Sequence, residues 1–187
     1  MLGLWLALGP AHGGTPAEEA EADRLSEEVQ KLAQKGAWSG VERAYHVLVE
    51  LPVDVDAPVH ALAAEAALQG GNVGASLARW EAAHAADPQP EYVARFEQLR
   101  SSHAEVYLEG RGASLVVAEA TWVPTAQAAV GFAAARIADD GAFHGWLPAG
   151  RYLFGGRFLD VKGDERVRLV IPPVRRSHKL KDVFGFE

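Results

Sequence analysis

A recurrence constrains this chain more than any other feature. Gly36, Trp38, Tyr45 and Leu48 return 35 residues later as Gly71, Val73, Trp80 and Ala83. Around them the chain from 18 to 103 is rich in Ala, Glu, Leu and Gln, and apolar residues recur at helical spacing: Leu25, Val29, Leu32; Val41, Tyr45, Leu48; Leu77, Trp80. Breakers separate these stretches at Lys35-Gly36, Leu51-Pro52, Gly70-Gly71 and Asp87-Pro88-Gln89-Pro90. The pattern predicts helices near 18–35, 38–51, 57–69, 73–86 and 90–103. One helical hairpin cannot cover its own apolar face, so two must stack to share a core. Ala61, Ala63, Ala64, Ala66 and Ala67 allow close approach of neighbouring helices, and Trp80 fills the space between them.

The residues and their spacing resemble the tetratricopeptide repeat, a helix–turn–helix unit of about 34 residues. Gly36, Trp38, Tyr45 and then Gly71, Val73, Trp80, Pro88 occupy the places of its turn glycine, large apolar residue, aromatic and closing proline. The resemblance covers roughly residues 21–103 and implies two repeats followed by a solvating helix. It also implies a concave groove lined by the first helix of each unit. Glu28, Gln30, Glu65 and Gln69 are the partner-binding candidates on that basis.

After His103 the composition shifts toward Val, Phe, Gly and Arg, and alternation replaces helical spacing. Strands are predicted at 104–109, 114–121, 130–138, 142–147, 151–161 and 166–171. Ala138-Asp139-Asp140-Gly141 reads as a hairpin turn, and Pro172-Pro173 ends the sheet because proline cannot extend a ladder. Within this half, Asp140, Gly141 and Phe143, followed by Leu147, Pro148, Gly150 and Tyr152, resemble the carboxypeptidase regulatory-like domain and the related PEGA module. That likeness, over about 104–172, implies a small antiparallel β-sandwich of transthyretin (prealbumin) type. Such domains are non-catalytic and frequently extracytoplasmic. The expected fold class is therefore α+β in two domains: helical repeats at 18–103 and a sandwich at 104–172.

The flanks carry their own signals. Residues 1–17 contain no Asp, Glu, Lys or Arg before Glu18, and LGLWLALG followed by Pro10 and small residues fits the apolar and cleavage regions of a secretory signal peptide, with a loose start as the plainer reading. Eight apolar residues are too few to span a bilayer, so no transmembrane anchor is expected. Export to the periplasm or cell exterior follows if the segment is a signal, and a cytoplasmic location if it is not. At the other end, 173–187 combines Arg175, Arg176, Lys179 and Lys181 with Phe184 and Phe186. This tail is a candidate contact segment, either for a partner or for the acidic helical half of its own chain.

The chemistry the residues exclude is as informative. Net charge is −7, which argues against nucleic acid as a partner. There is no cysteine, so thiol catalysis, disulfides and cysteine metal sites are ruled out. The seven histidines include no HExxH, and no GxSxG, Walker loop or GxGxxG is present. No metal, cofactor or catalytic residue is expected. The leading expectation is a non-enzymatic interaction or scaffold protein of the bacterial envelope that binds a protein or peptide. The alternative is carbohydrate or ligand binding on the sandwich through Trp146, Arg151 and Tyr152, with the repeats as support.

Overall fold

The computed structural model describes residues 14–119 and 123–172, Glu119 by its backbone alone. The chain is α+β. Five helices come first: α1 (Pro16–Gln34), α2 (Trp38–Leu48), α3 (Ala57–Gln69), α4 (Val73–Ala86) and α5 (Pro90–Ser102). Then follow β1 (His103–Glu109), β2 (Leu115–Glu119), α6 (Pro124–Asp140), β3 (Ala142–Pro148), β4 (Gly150–Phe154), β5 (Arg157–Val161) and β6 (Arg166–Val170).

Local chemistry sets the helix ends. Thr15 and Glu18 form a capping box: the Glu18 amide donates to Thr15 Oγ1 and the Thr15 amide to Glu18 Oε2 at 2.7 Å, with Pro16 in the first turn. The first helix thus begins within the segment read as a leader, whose residues 1–13 lie outside the described residues. α1 and α3 end in the same way. Gly36 and Gly71 take φ of +66° and +82°. The next amide reaches back to the last turn, Ala37 to Leu32 O and Asn72 to Ala67 O, both at 2.9 Å. The chain therefore makes two hairpins of the same design 35 residues apart.

Equivalent positions of the hairpins are buried alike. Val29 and Ala64, Val41 and Ser76, Tyr45 and Trp80, and Leu48 and Ala83 are all core residues. Between the hairpins lies a polar contact. Arg79 of α4 forms a two-pronged ion pair with Glu42 of α2, donates to the Ala63 carbonyl at 2.8 Å and lies 4.5 Å over the Tyr45 ring. Arg79 is mostly buried, so its charge is held by a carboxylate, a carbonyl and a π face together.

The strand-rich half differs from its expected plan in three ways. Residues 130–138 are not a strand but part of α6. Alanine-rich sequence favours helix, and Ala129, Val130, Ala133 and Ile137 form its buried stripe. The apparent alternation of Val130, Phe132 and Ala134 is incidental. Gly141, at φ +73°, is the left-handed cap of that helix rather than a hairpin residue. Residues 151–161 split into β4 and β5 at Gly155-Gly156, with φ of +53° and +80°. The sheets are also not wholly antiparallel. One runs β3-β1-β6, with β1 and β6 parallel; the other runs β2-β4-β5.

Side chains from both sheets and α6 meet in one core. Ala104, Val106 and Leu108 of β1, Leu115, Ile137, Phe143, Leu147, Tyr152, Phe154 and Val161 all contribute. Phe143 and Leu147 share a face of β3, as their spacing requires. At Pro148-Ala149-Gly150 the chain turns from one sheet into the other. Tyr152 fastens this corner by donating to the Pro148 carbonyl at 2.6 Å. Gly150 is not among the left-handed glycines.

The two halves interlock. α5 passes straight into β1, and carbonyls at this junction are satisfied from the strand-rich half: the Asp164 amide donates to His103 O at 2.8 Å and the Ala149 amide to Ser102 O at 2.9 Å. An apolar cluster of Val73, Leu77 and Ala129, with Leu68, Phe96, Leu99 and Trp146 packed on it, crosses from one half to the other. At its edge the Gly71 turn abuts α6 so closely that a Cβ there would collide with the Ala128 carbonyl. The two repeat glycines therefore do unequal work. Gly36→Ala, with open space around it, should cost about 1 kcal/mol from backbone strain alone. Gly71→Ala adds a backbone collision and should cost about 2 kcal/mol more. Urea unfolding of both variants checks this; equal losses would contradict it.

Candidate functional site

Two helical stripes face one another across a groove. On α3 they are Pro58, Ala61, Leu62 and Glu65; on α5, Glu91, Ala94, Arg95 and Gln98. Each set follows i, i+3, i+4, i+7, one face of a helix. Trp80 of α4 and Tyr92 form an aromatic floor with ring centroids 5.9 Å apart, and Gln30 of α1 stands on the rim. The cavity is about 710 Å³. It exists because Ala61 and Ala94 put methyl groups where larger side chains would close it.

The groove continues toward the strand-rich half. Glu65, Trp80, Arg95 and Gln98 also line a second cavity of about 420 Å³, whose far wall is His103, Val123, Thr125, Ala126, Pro148 and Ala149. The trough is mainly apolar below and polar at its edges. Glu65 and Glu91 are acidic, Arg95 is basic, and Arg95 donates to Gln98 Oε1 at 3.2 Å. Burial, aided by the carboxylates of Glu91 and Asp87, pushes the Tyr92 hydroxyl above the usual tyrosine range.

Of the four candidates read from the first helices, the groove gathers Gln30 and Glu65. Glu28 is instead half-buried and paired with Arg24 at 3.0 Å. Gln69 is exposed at the end of α3 and lines neither cavity. Phe184 and Phe186 lie outside the described residues. The repeat resemblance lines the groove with first helices alone and makes α5 the solvating helix, so it leaves out the wall that Glu91, Ala94, Arg95 and Gln98 form. The spacing of Glu91, Ala94, Arg95 and Gln98, matching Pro58, Ala61, Leu62 and Glu65, was the available signal.

Trp146, Arg151 and Tyr152 do not form a patch. Tyr152 has no exposed surface and belongs to the core shared by the two sheets and α6. Trp146 is half-buried at the junction, packed near Gly74 and the Val73–Leu77 cluster. Arg151 is exposed, paired with Asp160 at 3.3 Å and lying 4.8 Å over Phe158. Strand alternation places Arg151 and Tyr152 on opposite faces of β4. On the other sheet Tyr107, His144, Trp146, Arg166 and Arg168 share one face, with Arg168 5.0 Å over the Tyr107 ring.

Among the described residues, no group of three or more His, Asp or Glu could hold a metal ion, and no helix is long and apolar enough to cross a membrane. Comparison with known protein families, with curated proteins and with solved structures finds no match.

Two histidines make stability depend on pH. His60 shares a 2.7 Å hydrogen bond with the Tyr45 hydroxyl. Its pKa is lowered by burial first and then by Arg79, against a smaller opposing pull from Asp56. His103 is lowered by burial, partly opposed by its contact with the Leu99 carbonyl. A lowered folded-state pKa means that the unfolded chain takes up protons first. Stability is therefore full above the ordinary histidine value of about 6.5 and declines as pH falls below it. Denaturation midpoints between about pH 7.5 and pH 5.5 should drop. In a His60→Gln/His103→Gln variant that slope should flatten; an unchanged slope would contradict the assignment.

Proposed function

We propose that the chain is a non-enzymatic interaction protein whose α3–α5 groove docks a protein or peptide partner. In this reading the helical half is a pair of tetratricopeptide-like repeats, and the strand-rich half is a carboxypeptidase regulatory-like sandwich modified by the insertion of α6. The support for the repeats is the shared turn geometry of Gly36 and Gly71 and the matched burial 35 residues apart. The sandwich reading rests on Asp140, Gly141, Phe143 and the Leu147–Tyr152 corner. We further propose an exported protein of the bacterial envelope, from the composition of residues 1–17.

The observation that carries this function is the groove itself. An apolar floor with an aromatic pair, edged by carboxylates, amides and one arginine, matches the centre-and-rim layout of docking surfaces. A partner would bury an apolar anchor over Trp80 and Tyr92 and align its polar groups along Glu65, Glu91 and Arg95. The strand-rich half supports this by closing one end of the trough and holding α5 against α4 through the Phe96, Leu99 and Trp146 cluster.

Filling the groove tests the reading. Ala94 is exposed, so Ala94→Trp should change stability by no more than about 0.5 kcal/mol. It should weaken a partner captured by the wild-type chain about thirtyfold, the loss of one central hot spot. Capture from envelope extract with both chains at matched concentration gives the answer. A partner retained equally by Ala94→Trp would place docking elsewhere.

A further inference from the structure

The groove calls for an occupant with an aromatic or aliphatic anchor and a basic flank, and the chain itself contains one. We propose that residues 173–187 lie in the α3–α5 groove of their own chain, with Phe184 and Phe186 over Trp80 and Tyr92 and Lys181 beside Glu65. The inference rests on the groove being a docking surface.

Charge favours this segment. Residues 18–103 hold 15 acidic and 7 basic side chains, while 173–187 hold Arg175, Arg176, Lys179 and Lys181 against Asp182 and Glu187. The other apolar stretch outside the described residues, 1–13, has no Lys or Arg to set against Glu65.

Reach agrees. The Ile171 amide donates to Glu109 O at 2.7 Å, so the described chain ends at the tip of β1 opposite its junction with α5. Returning along the seven residues of β1 takes roughly 23 Å at ~3.3 Å per residue. Phe184 is the twelfth residue after Pro172 and can lie up to ~40 Å from it. The remaining ~17 Å carry it past His103, Pro148 and Ala149 at the near end and onto the aromatic floor. Lys181, three residues earlier, then passes Glu65, which lines both cavities.

The consequence is a tethered competitor. A segment joined to its site by a short linker acts at an effective concentration near millimolar. A partner must displace it, so its own affinity is scaled down by the fraction of open grooves.

Photo-capture in the full chain tests this. A benzophenone amino acid replaces the exposed Gln98 on the rim, and equal amounts of light- and heavy-isotope protein are mixed before irradiation. The expected product links position 98 to 173–187 within one isotope only. Its yield should fall about threefold in Glu65→Lys, the effect of one reversed surface charge. Mixed-isotope products would mean a second copy fills the groove, and capture of 1–13 or of nothing would mean the segment does not; each overturns the proposal. None of these would by itself remove the docking surface, because loss of the captured partner in Ala94→Trp is measured independently.

Discussion

Two stretches of backbone come into contact where the α3–α4 turn meets α6. No side chain can intervene, because Gly71 has none and a Cβ would strike Ala128. This approach sets the spacing of everything around it. Ala129 closes onto Val73 and Leu77, Trp146 and Leu99 fill in behind, and α5 is held at a fixed distance from α3. The second tie is at the end of α5, where the Asp164 and Ala149 amides satisfy its carbonyls. Burial of apolar surface drives the packing, and the two backbone ties decide its geometry.

The groove follows from that geometry and from the choice of small residues. Two stacked hairpins put α1, α3 and α5 on one side, and Trp80 reaches up from α4 to form the floor. Ala61 and Ala94 leave the space between α3 and α5 open, and larger side chains there would fill it. The polar contact of Glu42, Arg79, Tyr45 and His60 lies between the hairpins. It fixes how they sit on one another, since a charge removed from water tolerates few arrangements of its partners.

What could be read from the chain, and what could not, divides along physical lines. Local signals were legible. The predicted bounds of α3 and α4, 57–69 and 73–86, match the structure, with Gly70-Gly71 and Asp87-Pro88 marking their ends. The glycines at 36 and 71 announced the turns between helices, and Phe143 and Leu147 announced a shared buried face. Signals that depend on tertiary context were not. Residues 130–138 satisfy both a strand pattern and a helix pattern, and only the Ala-rich flank from 126 onward tips the balance toward helix. The parallel pairing of β1 with β6 is invisible locally because the two are separated by the whole strand-rich half. Tyr152 looks like a surface aromatic beside Arg151 until the sheets are placed face to face. The groove was half legible: the first-helix rule found Gln30 and Glu65, but the α5 wall needed the recognition that a closing helix also has an inner face.

The account stands or falls on whether the helical and strand-rich halves form one frame through the Gly71–α6 contact and the α5–β1 junction. Amide hydrogen exchange of the full chain as a function of denaturant measures this directly. The account predicts that the slowest amides of α3, α4, α6 and β1 share one opening free energy and one denaturant dependence. If the helical amides instead opened in a separate, lower-energy step while β1 and α6 stayed protected, the frame would not exist and the trough between the halves would have no fixed shape.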